Sequence, residues 1–279
     1  MTTLIAWTGA DQRGANEWRP ASIYIAADSR ISWAGTTGTW DSGRKLFAAR
    51  EEPHLLGYCG DVGFAVNALG QLVEMIEHYL LFPLGSNPSG CADRIVTFLT
   101  DSLREYPPSV RTDFSLLYAT REGVGTACSF HLFQVDFRNG AVNRLCRLPM
   151  PARSGLLAAL GSGADPFKQT LKQWDASEVG GTSRALYSAF ASALTYGSDR
   201  SSGGPAQLVG LYRMGGGRSF GTVWRGKRYF LGTEVKDAVQ VSPVQWHNEL
   251  FEICDPLTLT RKGDAQPQPM PRSLQRPQK

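Results

Sequence analysis

Ile23-Tyr24-Ile25-Ala26-Ala27-Asp28-Ser29-Arg30-Ile31-Ser32 is a short apolar run that ends abruptly in a carboxylate, a hydroxyl and a guanidinium. The first five residues have the composition of a strand, and the charged residues after it would by themselves mark a plain turn. Upstream, Thr3 to Trp7 forms a second apolar run. The connector Gly9 to Pro20 is polar and rich in turn formers, so the chain opens as two strands and a loop. Downstream, Gly43-Arg44-Lys45-Leu46-Phe47 carries a lysine that in isolation reads as solvated. Leu55 to Cys59 reads as a third strand, running into Gly60-Asp61-Val62-Gly63. Glycine there lets the backbone approach a ligand, and amides at a helix start can hold an oxyanion.

The rest of the chain continues in blocks. Apolar residues at Val62, Ala65, Val66, Leu69, Leu72, Val73, Ile76 and Leu80 follow three-and-four spacing and predict a helix. A second helix is expected from Cys91 to Tyr106, stopped by Pro107 and Pro108. Asp113 to Arg147 alternates like strands around Arg138-Asn139-Gly140, a strong hairpin signal. Helices are expected near Asp165 to Trp174 and Ser183 to Leu194, then strands at Gln207 to Arg213, Ser219 to Trp224 and Arg228 to Leu231. Strands, two helices, strands, two helices, strands predicts an α+β fold: a four-layer α-β-β-α sandwich of two antiparallel sheets between helical layers. Residues 1–240 would form that domain. Residues 241–258 would be an extension with a possible short helix around Trp246 and Phe251, and 259–279 a disordered basic tail rich in Pro and Gln.

Composition narrows the function. The chain has 279 residues, 42% of them hydrophobic, enough for a substantial core. Its 29 Lys and Arg face 25 Asp and Glu, and the tail from Arg261 holds five of those bases against one acid, so the body is formally neutral. A neutral body gives no broad field for nucleic acid. Five cysteines without CxxC spacing read as reduced, mostly buried thiols, and no clustered His and Cys set predicts a metal or other cofactor. The sequence lacks a signal-peptide pattern and any run of eighteen apolar residues, so no membrane contact and a cytoplasmic location are expected. Gly221 to Arg228 nearly fits a phosphate-binding loop, but Arg228 stands where Ser or Thr must bind magnesium, and it reads as a hairpin turn.

Met1-Thr2-Thr3 adds chemistry. Initiator methionine is usually trimmed before a small residue, which would give Thr2 a hydroxyl and a free α-amine. Such an amine titrates near ~7.7–8.0 and can take up the hydroxyl proton without a histidine.

Taken together, Thr2, Asp28 in Ala26-Ala27-Asp28-Ser29-Arg30, Lys45 before Leu46-Phe47, Leu160-Gly161-Ser162-Gly163 and Asp199-Arg200-Ser201-Ser202-Gly203-Gly204 resemble, in order and over roughly 200 residues, the proteasome β subunit. They resemble equally its bacterial relative, the two-ring ATP-dependent threonine protease, an N-terminal-nucleophile hydrolase. The resemblance implies Thr2 as nucleophile, Asp28 and Lys45 beside it, the Gly60 N–H in the oxyanion hole, and Ser162, Asp199 and Ser202 around the amine. It implies that Arg30 and Ser32 pair with an extended substrate, and that Ile31, Gly43, Tyr58 and Val62 line the pocket before the scissile bond. Ile31, Tyr58 and Val62 read equally well as core. The expected partners are a peptide or unfolded protein, sister subunits in stacked rings and a separate ATPase. Two other activities stay open: an amidohydrolase acting on a small amide, and a non-catalytic ring subunit. Departures from the family are the long loops Gly9 to Pro20 and Gly35 to Ser42, and Asp61 beside Gly60, where an acid could weaken an oxyanion hole.

Overall fold

A computed structural model describes residues 2–13, 17–33, 38–110, 113–237 and 242–275. Met1, parts of the two long loops and residues 276–279 lie outside them. Strands β1 (Leu4–Arg13) and β2 (Glu17–Ala27) form one long hairpin, paired as far as Arg13 with Glu17. The connector expected over Gly9 to Pro20 is therefore mostly ladder. A register shift between Gly9 and Ala10 absorbs its irregular pattern, and Pro20 sits beside that shift. Next come β3 (Ile31–Ser32), β4 (Thr39–Trp40), β5 (Leu46–Ala48) and β6 (His54–Gly60).

Helices α1 (Gly63–Glu77) and α2 (Pro88–Glu105) follow where the spacing predicts them. Asn87 caps α2 by accepting the Gly90 N–H at 2.8 Å with Pro88 in the first turn, and Pro107 and Pro108 lie just past its end. Then come β7 (Phe114–Glu122), β8 (Ser129–Arg138) and β9 (Ala141–Leu148). The β8–β9 turn has positive φ at both Asn139 (54°) and Gly140 (75°), as a two-residue Asn-Gly hairpin requires. Strand β10 (Gly155–Leu160) leads into α3 (Ala164–Asp175) and α4 (Ser183–Tyr196). The chain ends with β11 (Gln207–Tyr212), β12 (Arg218–Trp224), β13 (Lys227–Phe230), β14 (Thr233–Glu234), β15 (Trp246–His247) and β16 (Ile253–Cys254).

The result is a mixed α/β protein with four α-helices among the described residues and largely antiparallel sheets. One sheet runs β10-β1-β2-β11-β12-β13-β14, with β15 and β16 attached at β12; a second runs β5-β6-β7-β8-β9. Strand alternation sorts the core. In β1 and β2, Leu4, Ala6, Ile23, Ile25 and Ala27 pack against Leu55, Leu117 and Leu132 of the second sheet. The intervening Ile5, Trp7, Tyr24 and Ala26 pack against Phe167, Trp174 and Phe190 of α3 and α4. In β6, Leu56 and Tyr58 join Leu69, Leu72, Ile95 and Leu99 of α1 and α2. Both faces of these strands are covered, which is why they read as unbroken apolar runs.

Trp246 and His247 correct the expected short helix. They pair in parallel with Gly221 and Thr222, and the Trp246 indole lies where a Gly221 side chain would be. Within the segment read as a solvated tail, residues 261–275 contact the body. The Gln268 N–H donates to Glu252 at 2.6 Å, an Arg184 guanidinium N–H donates to the Pro269 carbonyl, Pro271 is buried and Leu274 packs on the α3–α4 side. Proline, fixed in φ, loses little entropy on docking, so this composition can be ordered by a few contacts. No described helix is long and apolar enough to cross a membrane.

Two histidines sit inside this framework. His54 stacks on Tyr118, with its Nδ1 2.8 Å from the phenol oxygen, and His247 stacks on Phe251. Burial, helped by the Arg121 charge, lowers the His54 pKa to about 4; burial lowers that of His247 to about 4 as well. Each folds neutral, whereas the unfolded imidazole binds a proton near ~6.5. Between those values the unfolded state holds more protons, so stability present above pH 6.5 is lost as pH falls toward 4, by roughly 3 kcal/mol per histidine in full. We expect the melting temperature to drop steeply over that window. His54→Leu should flatten the decline by about one proton's worth, and an unchanged slope would show that His54 titrates normally.

Candidate active site

Lys45 precedes β5 and is 1% exposed, an unusual place for an ammonium. Its Nζ donates three hydrogen bonds: to Asp28 Oδ1 at 2.8 Å, to the Arg30 carbonyl at 2.7 Å and to Thr2 Oγ1 at 3.0 Å. Three donors with three acceptors is the full complement of a charged lysine. Burial lowers the Lys45 pKa, and the Asp28 charge and hydrogen bond oppose that fall.

Asp28, fully buried at the end of β2, takes the other side of the pair. Its Oδ1 also accepts the Thr3 N–H at 3.0 Å, while Oδ2 accepts the N–H groups of Arg30 (3.2 Å) and Gly203 (3.0 Å). Thr2, 3% exposed, is held from behind, its carbonyl accepting the Gly163 N–H at 3.2 Å. Glycine is required in that loop: a Cβ on Gly161 would lie 2.0 Å from the Thr2 carbonyl oxygen, and one on Gly163 1.8 Å from Thr3 Oγ1.

Asp199 organises a second cluster. Its Oδ2 accepts the hydroxyls of Ser162 and Ser202, each at 2.8 Å, and Oδ1 accepts the Ser201 N–H at 2.9 Å. Partial burial pushes its pKa up, but the Ser202, Ser201 and Ser162 hydrogen bonds outweigh it and the net shift is downward. The cluster joins the first through Gly203 N–H to Asp28. Ser202 Oγ also lies 2.9 Å from where a Gly163 Cβ would be.

Gly60 ends β6 with φ of +109°, and a Cβ there would strike the Asp113 carbonyl at 2.4 Å. The Tyr58 N–H donates to Lys45 O, and the Asp61 N–H to Asp113 O. Strand alternation therefore turns the Gly60 N–H to the Lys45 edge of β6, away from β7. Thr2, Gly60 and Ser162 open on one cleft of ≈470 Å³. The Asp61 carboxylate is engaged at the start of α1, accepting the Phe64 N–H at 2.9 Å.

The structure thus brings Thr2, Asp28 and Lys45 into direct contact, joins Ser162, Asp199 and Ser202, and sets Gly60 on the same cleft as Thr2 and Ser162. The expected substrate-binding residues divide differently. Arg30 is occupied within the site: its guanidinium pairs with Asp41 at 2.7 Å and donates to the Arg200 carbonyl, and its own carbonyl accepts Lys45. Ile31 and Ser32 pair with Trp40 and Thr39. The Ile31 Cδ1 would be 2.2 Å from a Gly43 Cβ, so Ile31 covers Gly43. Tyr58 is 1% exposed in the α1–α2 cluster, donates its hydroxyl to Arg44 O and has its pKa raised by burial. Core is the half of the double reading that fits Tyr58; Val62 packs partly buried against the same cluster.

None of the hydrogen bonds of the four histidines among the described residues goes to Cys59, and the charges that act on its thiol include Lys45, Arg138 and Asp136. Burial raises the Cys59 thiol to about 11, which makes it unreactive. No group of three potential metal ligands occurs among the described residues.

Gln207 escaped the sequence reading. Fully buried at the start of β11, it accepts the Lys45 N–H at 3.0 Å and donates Nε2 to Gly43 O at 2.7 Å, Ser29 Oγ at 3.0 Å and Asp28 O at 3.2 Å. Its one signal was a polar residue heading the otherwise apolar run Leu208–Tyr212.

No family model and no curated relative matches the sequence. Among solved structures, the fold is similar to that of an Anbu (Gly-1) mutant from Hyphomicrobium sp. strain MC1, with a TM-score of 0.52 at 18% identity over 78% of this chain and 86% of that one. HslV from Trypanosoma brucei aligns with a TM-score of 0.46 at 16% identity, over 75% of this chain and 99% of that one. At these identities the likeness is one of fold. That likeness agrees with the resemblance of the sequence motifs to proteasome β-subunit-like N-terminal-nucleophile hydrolases.

Replacing Gln207 by Leu keeps the volume and strands the Lys45 N–H and the Gly43 carbonyl. We expect a loss of about 2–4 kcal/mol, read from the denaturant midpoint. A loss under about 0.5 kcal/mol would mean that the site holds itself together without this residue.

Proposed function

We propose that this chain is a threonine endopeptidase whose nucleophile is Thr2, exposed as the first residue once Met1 is removed. The observation that carries the reading is the buried Lys45 ammonium held between Asp28 and Thr2 Oγ1. A positive charge 3.0 Å from a hydroxyl favours its alkoxide, and lowers the pKa of an amine on the same residue.

In the proposed reaction, the Thr2 oxygen bonds to the substrate carbonyl carbon while its proton passes to the Thr2 α-amine. The Gly60 N–H receives the oxyanion, a donor typically worth ~2.7–4 kcal/mol. The resulting ammonium returns the proton to the leaving nitrogen as the C–N bond breaks. Water then hydrolyses the Thr2 ester by the same proton route in reverse. Ser162, Asp199 and Ser202 orient the amine. Asp28 and Gln207 position Lys45, and the Arg30–Asp41 pair anchors the segment that leads to the substrate-facing hairpin.

In this reading the three apolar clusters are the seams of a four-layer α-β-β-α sandwich. Residues 1–240 form the catalytic domain, and those beyond 241 pack onto it. We further propose that copies stack as rings enclosing the sites, that a separate ATPase unfolds protein substrates, and that the assembly works in the cytoplasm.

The test is hydrolysis of fluorogenic apolar peptides, together with intact-mass measurement. Active protein should lack Met1 and react with a peptide epoxyketone. Thr2→Ala should lose activity by about 10³-fold or more, Thr2→Ser should retain part of it, and Lys45→Met should be nearly as damaging as the alanine variant. Undiminished hydrolysis by Thr2→Ala, or activity in protein that keeps Met1, would overturn the assignment. Cleavage of small amides but no peptide would point to the amidohydrolase, and complete inactivity of Met1-free protein to a non-catalytic subunit.

A further inference from the structure

The cleft shared by Thr2, Gly60 and Ser162 has walls that the proposed reaction does not use. They come from β7, β8 and the segment before β7: Asp113, Ser115, Gln134, Asp136 and Arg138. Arg30, Ile31, Ser32 and Gly43, on the Lys45 side of Thr2, do not line it. An acyl chain resting on the Ile31–Ser32 hairpin would leave this cleft to the other side of the scissile bond. The proposed proton donor to the leaving nitrogen is the Thr2 amine, and Ser162, argued to orient that amine, opens into the cleft. The leaving group therefore departs into it.

Its chemistry is one-sided. Arg138 gives three of its five N–H groups to the protein: Nη1 to the carbonyls of Phe114 (3.0 Å) and Phe137 (2.7 Å), Nη2 to Ser115 Oγ (3.1 Å). It stands 3.8 Å from Asp113 and 3.9 Å from Asp136, too far for good hydrogen bonds to either. Asp136 is 8% exposed and, among the described residues, accepts hydrogen bonds from Gln134 Nε2 alone, at 3.0 and 3.2 Å. Asp113 accepts the Asn139 N–H at 2.9 Å. A carboxylate offers about four acceptor sites, so among the described residues both have capacity left over. Among the described residues the wall carries two carboxylates against one guanidinium: surplus acceptors and a net negative charge.

We propose that this wall reads the residue following the scissile bond and selects a cationic hydrogen-bond donor, lysine or arginine, with Asp136 as the principal determinant and Asp113 as its exposed partner. The proposal rests on the peptidase reading for its substrate, but the cleft's charge preference can be tested apart from it. An acidic residue at the same position meets a net like charge, which disfavours it at both binding and transition state.

The experiment uses internally quenched peptides that share one apolar acyl side and differ only in the first leaving residue: Lys, Arg, Leu or Glu. Alongside runs an aminocoumarin amide of the same acyl sequence, which has no such residue. In the intact protein, kcat/KM for Lys and Arg should exceed that for Glu by about fivefold to tenfold. Asp136→Asn should shrink that ratio to about twofold or less, while the aminocoumarin substrate changes little. Asp113→Asn, at an exposed position, repeats the comparison if Asp136→Asn fails to fold. Equal rates for Lys and Glu peptides, or a ratio untouched by both variants, would overturn the proposal and leave the peptidase assignment standing.

A second arm needs no catalysis. Short peptides with a free N-terminal Lys or Glu are titrated into Thr2→Ala protein by NMR, with and without Asp136→Asn. Preferential binding of the Lys peptide that is lost in Asp136→Asn supports the wall even if no peptide is ever cleaved. Indifferent binding sinks it.

Discussion

A lysine ammonium and a carboxylate taken out of water together are tolerated only if nearly every proton and lone pair finds a partner. That constraint shapes the centre of this protein. Lys45 is satisfied by three segments: Thr2 at the chain start, Asp28 at the end of β2 and the Arg30 carbonyl. Asp28 adds a fourth through Gly203, and Gln207 a fifth through the Lys45 backbone. Removing one member leaves a charge or a dipole stranded in the interior. The pair therefore fixes how β1, β2, β5, β11 and the loop after α4 meet.

Close approach is the second requirement, and it falls on glycine. Gly161 and Gly163 let the loop before α3 press against Thr2 and Thr3, and Gly203 lets the Arg30 guanidinium lie across the loop after α4, where a Cβ would be 2.7 Å from its central carbon. These positions come from distant parts of the chain but serve one small volume. The Gly-Ser-Gly fragment packs against Thr2 and Thr3, and the Asp-x-x-Ser-Gly-Gly fragment against Asp28, Arg30 and Asp41.

How much of this was legible follows from the same physics. Asp28, Lys45 and the serine cluster could be found because polar groups beside strongly apolar strands are costly, and their order along the chain matched a known pattern. The long β1–β2 hairpin was cut short because Pro20 and a register shift disguise pairing that the backbone still makes. β10 went unseen: Gly155–Leu160 is a short Ala- and Leu-rich run whose sheet identity comes only from pairing with β1. Trp246 and Phe251 suggested a helix by spacing, whereas a neighbouring strand edge decided the matter. Gln207 was invisible for a deeper reason. A buried amide earns its place through four partners in other segments, and sequence adjacency carries no trace of them.

Asp28 and Asp199 share one acid group yet face opposite demands. Asp28 is sealed in and supports a positive charge. Asp199 is nearer the surface and holds two hydroxyls, and its lowered pKa keeps it ionised far below the range where an α-amine titrates. A serine whose only proton is given to a carboxylate offers its neighbours lone pairs alone. Ser162 and Ser202 therefore have only lone pairs left to offer. Lys45 presents the opposite surface, an ammonium that donates to Thr2 Oγ1. In the proposed reaction the Thr2 amine works between a set of lone pairs and a fixed positive charge.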